Sequence, residues 1–186
     1  MTARRRVTPG GFGTVASPDL RVEHLELVTP TARLPLGGTF AGLARAAGVE
    51  ARSLRDVYSG GPGIDQDDPL IVDTGAAVVL LEAFATGEAA LRRFAPDLER
   101  VLWPEHFDLG ITAGAINYGA SPGDAEVADP YLYVGPHDGP PPGEPAFWNA
   151  PFGAVRTIGQ IGAAADAAAF FRDGRARVLA HVTATP

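Results

Sequence analysis

The segment His106-Phe107-Asp108-Leu109-Gly110-Ile111 alternates apolar side chains with polar or small ones. A period of two is typical of a half-buried strand, so Phe107, Leu109 and Ile111 are expected to face the core. His106 and Asp108 then share the opposite face, roughly 6 to 7 Å apart along the strand. The sequence predicts a strand over residues 106–118 that can bend at Ala113-Gly114.

The rest of the chain shows further strand and helix patterns around this segment. Alternating residues and Gly/Pro turns predict strands at 5–8, 12–15, 22–28, 130–135 and 147–158. N-capping residues and apolar side chains at helical spacing predict helices at 40–47, from about 73 to 94, and at 161–172, with Gly48 and Gly174 just past two of their ends. Long loops are expected at 49–72 and 137–146, with flexible ends at 1–6 and 178–186.

This order of elements lacks the alternation of strand and helix that builds parallel sheets. It therefore predicts an α+β fold, with an antiparallel or mixed sheet and about three helices packed mainly on one face. The 186 residues fit a single domain, and 46% hydrophobic residues suffice for a core.

The composition restricts the chemistry that the chain can perform. All 15 basic residues are arginine and cysteine is absent, which excludes Schiff-base lysines, thiolate nucleophiles and disulfides. A formal net charge of −7 argues against nucleic-acid binding. No secretory signal or membrane span is predicted, because Pro9 interrupts the start and no long uninterrupted apolar run follows. We expect a cytoplasmic protein.

His106 and Asp108 are the leading candidates for a functional site. On one strand face they suit two ligands of one divalent metal, or a catalytic base and the carboxylate that orients it. His137 and His181 are the available further histidines, but neither has the spacing of an iron oxygenase site. The alternative is a structural histidine at a strand start, hydrogen-bonded to a carboxylate.

Two tyrosines extend this candidate site. Tyr131 and Tyr133 alternate with Leu132 and Val134, so both phenols share one face, and an antiparallel neighbour would place them beside His106 and Asp108. They are candidate catalytic residues that donate hydrogen bonds to developing charge. Amphipathic packing on a sheet is the alternative. Other side chains are predicted to bind a ligand there: Glu105, Asn117, Asp124, Trp148 and Asn149.

The segment Gly119-Ala120-Ser121-Pro122-Gly123 matches the G-x-S-x-G pattern of a hydrolase nucleophile elbow. That elbow needs a backbone N–H after the serine as an oxyanion donor, and Pro122 has none. We therefore predict a β-turn at this position rather than a nucleophile. The acidic segment 65–68 lacks the later ligands of a calcium loop, and Gly10-Gly11 is predicted to form a hairpin turn.

Four motifs together resemble a family of actinobacterial proteins of unknown function: W-P-E-H-F-D from Trp103, S-P-G-D from Ser121, P-Y-L-Y-V-G-P from Pro130 and F-W-N-A-P-F-G from Phe147. The likeness covers roughly residues 100–155 and implies no particular activity. It coincides with the stretch that holds the candidate site.

Two hypotheses about function follow from the sequence. In the first, a polar pocket around His106 and Asp108 binds a small molecule or a divalent metal and can support a simple enzymatic reaction. In the second, the motifs are structural and the protein is a non-catalytic interaction module. The sequence names no protein partner.

Overall fold

The α+β prediction is confirmed: in the part of the chain that it describes, a computed structural model shows ten strands in antiparallel pairs and four helices. The structure describes residues 5–15, 18–51, 63–103, 106–142 and 144–184. The chain divides into two compact units, Met1–Val79 and Leu80–Pro186.

The first unit is a meander of five short strands followed by a helix. The strands are β1 Arg5–Thr8, β2 Gly11–Thr14, β3 Arg21–Glu23, β4 Glu26–Val28 and β5 Arg33–Pro35, and the helix is α1 Phe40–Ala46. The Thr39 hydroxyl accepts a hydrogen bond from the Gly42 N–H at 3.0 Å, which begins α1 with a side-chain cap. Gly48 follows the helix at φ 72°, in the left-handed conformation predicted for it.

The predicted strand 22–28 is wrong, because the chain reverses in its middle. His24 and Leu25 have φ of 48° and 66°, and Glu23 pairs with Glu26 across them. Two successive positive φ angles define a type I′ hairpin turn, which normally carries Asn-Gly. The alternation of Leu25 and Leu27 with polar residues resembles one continuous strand, and no Gly or Asn marks the turn.

The second unit carries five strands in chain order, and the first long helix leads into it. That helix is α2 Thr74–Phe94; the strands are β6 Val101–Trp103, β7 Asp108–Thr112, β8 Ile116–Ser121, β9 Tyr131–Pro136 and β10 Ala154–Thr157. A short helix, α3 Ile158–Ile161, and a long one, α4 Ala164–Ala184, end the chain. Each strand pairs antiparallel with the next.

Both long helices pack on the same face of these five strands, which we call the helix-covered face. Phe94 of α2 and Phe171 of α4 contact Tyr118 of β8, with ring centroids 4.6 and 5.8 Å apart. Fully buried side chains from the strands fill the same layer: Leu102, Leu109, Ala120, Leu132 and Val134. Their alternate neighbours lie on the other face, which we call the cleft face.

Several predicted boundaries are corrected by local hydrogen bonding. The predicted strand 147–158 is a strand only at β10, since Ala150 and Gly153 form a tight turn before it and Thr157 caps α3 through a capping box with Gln160. The predicted strand 106–118 is in fact two strands, β7 and β8. The turn between them contains Gly114, whose φ is 65°. The short strands β5 and β6 were not predicted.

The last helix is longer than its pattern indicates. Gly174 lies inside α4 rather than past its end, and the predicted flexible end at 178–186 is helical up to Ala184. A Cβ at Gly174 would lie 2.8 Å from a methyl carbon of Val134, so glycine lets α4 approach β9 closely. The loop prediction 49–72 holds for residues 63–72, and residues 52–62 lie outside the described part.

Candidate functional site

The antiparallel pairing brings the predicted site residues together on the cleft face. Gly119 pairs with Tyr133 and Ser121 with Tyr131 across β8 and β9, while Gly110 pairs with Gly119 across β7 and β8. A glycine row therefore crosses β7 and β8 beside Tyr133. The chain leaves room there for one large side chain.

The ring of Tyr133 occupies the space above this glycine row. A Cβ at Gly119 would lie 2.5 Å from the Tyr133 hydroxyl oxygen, and one at Gly110 would lie 3.0 Å from it. The phenol thus extends across two strands and donates its hydrogen bond to Oδ2 of Asp108. Burial, followed by the Asp108 carboxylate, raises the pKa of Tyr133 well above its ordinary value, so the phenol stays protonated at neutral pH.

A second tyrosine–aspartate pair lies beside the first. The Tyr131 hydroxyl donates to Oδ2 of Asp124 at 2.6 Å, and the two tyrosine rings meet edge to face with centroids 6.4 Å apart. Burial, and then the bond to Asp124, raises the pKa of Tyr131 to about 12. The same hydrogen bond, with the Val127 and Glu126 backbone N–H groups, lowers the pKa of Asp124.

These two pairs line one cleft of about 480 Å³. The predicted residues His106, Asp108, Asn117, Asp124, Tyr131 and Tyr133 all contribute to its lining. A neighbouring recess of about 370 Å³ shares His106, Asp108, Asn117 and Tyr133 and is bounded by Trp103. Pockets of this size accommodate small organic molecules.

His106 reaches the cleft from a turn rather than from a strand. β7 begins at Asp108, and Phe107 has φ of 53°, a left-handed conformation that is rare for a large side chain. The Phe107 ring packs edge to face on Phe84 of α2, with centroids 5.6 Å apart. The predicted strand start at His106 is therefore wrong, but His106 and Asp108 still line the same cleft.

Two of the predicted ligand-binding residues, Trp148 and Asn149, are not brought to the cleft. Trp148 packs against Phe147 on the other side of the unit, with centroids 4.8 Å apart. Asn149 exchanges two hydrogen bonds with the backbone of Val155, at 2.9 and 3.2 Å, and so secures β10. Neither residue lines the cleft, and Glu105 lies outside the described residues.

The predicted metal site lacks a full ligand set in the described part of the chain. No group of three or more His, Asp or Glu side chains is placed there to hold a metal ion. His106 and Asp108 alone would leave most of a divalent ion's coordination to water. Within the described residues, the side chains at His106 and Asp108 do not form a resident metal centre.

Of the turn predicted after Gly119-Ala120, the structure shows the side-chain hydrogen bonds of Ser121 and Asp124 to nearby backbone N–H groups. The Ser121 hydroxyl accepts a bond from the Gly123 N–H at 3.2 Å, and Gly123 has φ of 102°. β8 ends at Ser121, and the chain continues through a loop into β9 rather than into a helix. The geometry of a nucleophile elbow is absent from this described segment.

Sequence reasoning did not assign six of the lining residues to the cleft: Ser121, Gly123, Gly135, Pro136, His137 and Phe152. Phe152 stacks edge to face on Tyr133, with centroids 6.5 Å apart. His137 Nε2 lies 3.1 Å from Oδ1 of Asn117, which also accepts the Thr112 hydroxyl at 2.7 Å. Glycines inside predicted strands were the available signal, since they mark positions where another group approaches closely.

A scan against models of known protein families, a search of curated proteins and a search of solved structures each found no match to this chain.

Proposed function

We propose that this protein binds a small polar organic molecule in the cleft on the cleft face of β7, β8 and β9. The observation that carries the proposal is the convergence of two tyrosine–aspartate pairs, Tyr133–Asp108 and Tyr131–Asp124, on one cavity of about 480 Å³. Ligand sites combine an apolar floor with a few convergent polar groups. Both elements are present here.

The two tyrosine–aspartate pairs lower the stability of this face relative to apolar side chains in the same positions. Apolar side chains on this face would avoid the desolvation of a carboxylate beside a phenol. Perturbed titratable groups that line a cleft are more typical of functional sites than of scaffolds. The raised pKa of Tyr133 and the lowered pKa of Asp124 are of this kind.

Filling the cleft tests this proposal without removing its polar groups. A Cβ at Gly135 would meet nothing closer than 3.6 Å, so Gly135→Val can be accommodated in β9 while its methyl groups enter the cavity. Gly37→Val is the matched control, because a Cβ at Gly37 has no atom within 4 Å and Gly37 belongs to the first unit. Melting temperatures establish that both variants fold.

Ligand-observed NMR on a library of small cationic, anionic and neutral polar compounds supplies the measurement. We expect compounds that bind wild type and Gly37→Val but lose their saturation-transfer signal with Gly135→Val. The proposal fails if no compound binds the wild type, or if every binder retains its signal in folded Gly135→Val.

A further inference from the structure

Three hydroxyl groups of the cleft and the neighbouring recess donate their hydrogen bonds to side chains of the protein. Tyr133 donates to Asp108, Tyr131 donates to Asp124 at 2.6 Å, and Thr112 donates to Asn117 at 2.7 Å. A phenol that donates once retains oxygen lone pairs, and each carboxylate has several acceptor positions. The two carboxylates and the two phenol oxygens therefore offer hydrogen-bond acceptors to a ligand.

Two carboxylates, those of Asp108 and Asp124, line the cleft. His106 and His137 line it as well, and no arginine is among the described residues of its lining. Hydrogen bonds from Tyr131 and the Val127 backbone lower the pKa of Asp124 and so favour its ionised form further. A concave surface lined by one sign of charge concentrates ligands of the opposite sign.

An exposed aromatic ring lines each of the two cavities that share Asp108. Phe152 is 41% exposed at the cleft and Trp103 is 47% exposed at the neighbouring recess. Tyr133 and Asp108 contribute to both cavities. Aromatic faces attract cationic nitrogen through the ring quadrupole, and rings combined with a carboxylate recognise ammonium groups.

We infer that the ligand carries a positively charged nitrogen, an amine or a quaternary ammonium, which lies against Asp108 and the rings of Tyr133 and Phe152. This inference rests on the proposed function and adds the chemical class of the ligand. It predicts that the cleft distinguishes ligands by their charge rather than by their size. Anionic molecules are excluded by the two carboxylates, and neutral molecules lose the attraction of rings and charge.

Two pairs of probe molecules have similar shapes within each pair but differ in charge. Choline is compared with 3,3-dimethylbutan-1-ol, in which carbon replaces the cationic nitrogen, and 3-methylbutylamine is compared with 3-methylbutan-1-ol. We expect at least one cation to bind about tenfold more tightly than its neutral partner in NMR titrations at low salt. The preference is expected to weaken as salt is added, since ions screen the attraction.

The variants Asp108→Asn and Asp124→Asn each remove one negative charge and keep the side-chain size, so they show which carboxylate attracts the cation. Folding of each is verified by its melting temperature, and Gly37→Val is the control. We expect the cation preference to fall several-fold in at least one aspartate variant and to stay unchanged in the control. The salt series needs no variant, so it tests the charge preference even if both aspartate variants unfold.

The outcomes separate this inference from the proposed function. Equal binding of both members of each probe pair, or a preference that survives in folded aspartate variants, overturns the cationic ligand. If neutral or anionic library compounds bind the wild type and lose binding in Gly135→Val, the cleft is a ligand site of another class. Failure of all compounds removes both proposals.

Discussion

At the scale of single residues, the cleft depends on small residues placed opposite one large residue. Gly119 and Gly110 carry no side chain beneath the Tyr133 ring, so the phenol can reach Asp108 across two strands. Any added carbon must displace that ring or the Leu109 carbonyl, which would lie 2.4 Å from a Cβ at Gly119. The glycine row is thus part of the site although it contributes no functional group.

Gly119→Ala is expected to destabilise the protein and to break the Tyr133–Asp108 bond. Forcing one methyl group into a filled position costs about 1 to 3 kcal/mol. Gly135→Ala on the neighbouring strand is the matched control, with its nearest atom 3.6 Å away. Urea unfolding should show a loss for Gly119→Ala and a change within about 0.5 kcal/mol for the control. Equal stability of the two variants would contradict the tight packing of Tyr133.

Protonation of Asp124 is expected to make the free energy of unfolding depend on pH. Its folded pKa lies below the ordinary value of 3.8, so its contribution is present above pH 3.8 and is lost as pH falls through the folded pKa. Urea unfolding of wild type and Asp124→Asn should therefore differ at neutral pH and converge below pH 3.8. Asp129→Asn, an exposed change in the same loop, controls for loss of charge. A wild-type advantage that grows in acid would disprove the Tyr131 hydrogen bond as its source.

At the scale of elements, periodicity predicted the strands and helices better than their ends. The capped helices α1 and α2 and the strand β9 follow from the caps and alternation in the sequence, and they are found with bounds close to those predicted. The errors have local causes. The chain turns at His24-Leu25 although neither residue is glycine, and Gly174 lies inside α4 because Val134 leaves no room for a side chain there. Sequence periodicity carries no information about such contacts.

The same limit applies to the candidate site. His106, Asp108, Tyr131 and Tyr133 could be predicted because alternation assigns side chains to a face, and antiparallel pairing then brought them to one cleft. Trp148 and Asn149 lie in irregular structure, where strand alternation does not apply. Phe152 reaches the cleft from inside the tight turn between Ala150 and Gly153, and His137 reaches it from just past the end of β9; only the fold determines these positions.

Gly174→Ala is expected to destabilise the protein, although alanine is the better helix former. The gain in helix propensity is about 1 kcal/mol, but the added methyl group would lie 2.8 Å from Val134 in the core. Gly159→Ala in α3 is the control, because nothing lies within 4 Å of its Cβ. Thermal unfolding should show a lower melting temperature for Gly174→Ala and an unchanged or higher one for Gly159→Ala. A rise in both would mean that α4 does not pack closely on β9.

At the scale of the whole molecule, α2 has two contrasting halves. By length and composition alone, α2 is long and apolar enough to cross a membrane. The sequence analysis predicted no membrane span and did not anticipate this. Core helices pass the same test, and in its second half Phe84 and Leu91 are fully buried. In its first half Val78 and Val79 are 47% and 51% exposed. We propose that α2 is a core helix with an apolar exposed start.

A charge on the exposed half of α2 distinguishes a core helix from a membrane span. Val79→Arg should change the free energy of unfolding by no more than about 0.5 kcal/mol, since the side chain is at the surface. Both proteins should stay in the supernatant when lysed cells are centrifuged at high speed. Phe84→Arg, on the buried face of the same helix, should unfold the protein, because a charge would replace a core ring. If wild type instead pellets with membranes and resists alkaline extraction, and Val79→Arg releases it, α2 is a membrane span, because arginine in a bilayer is costly.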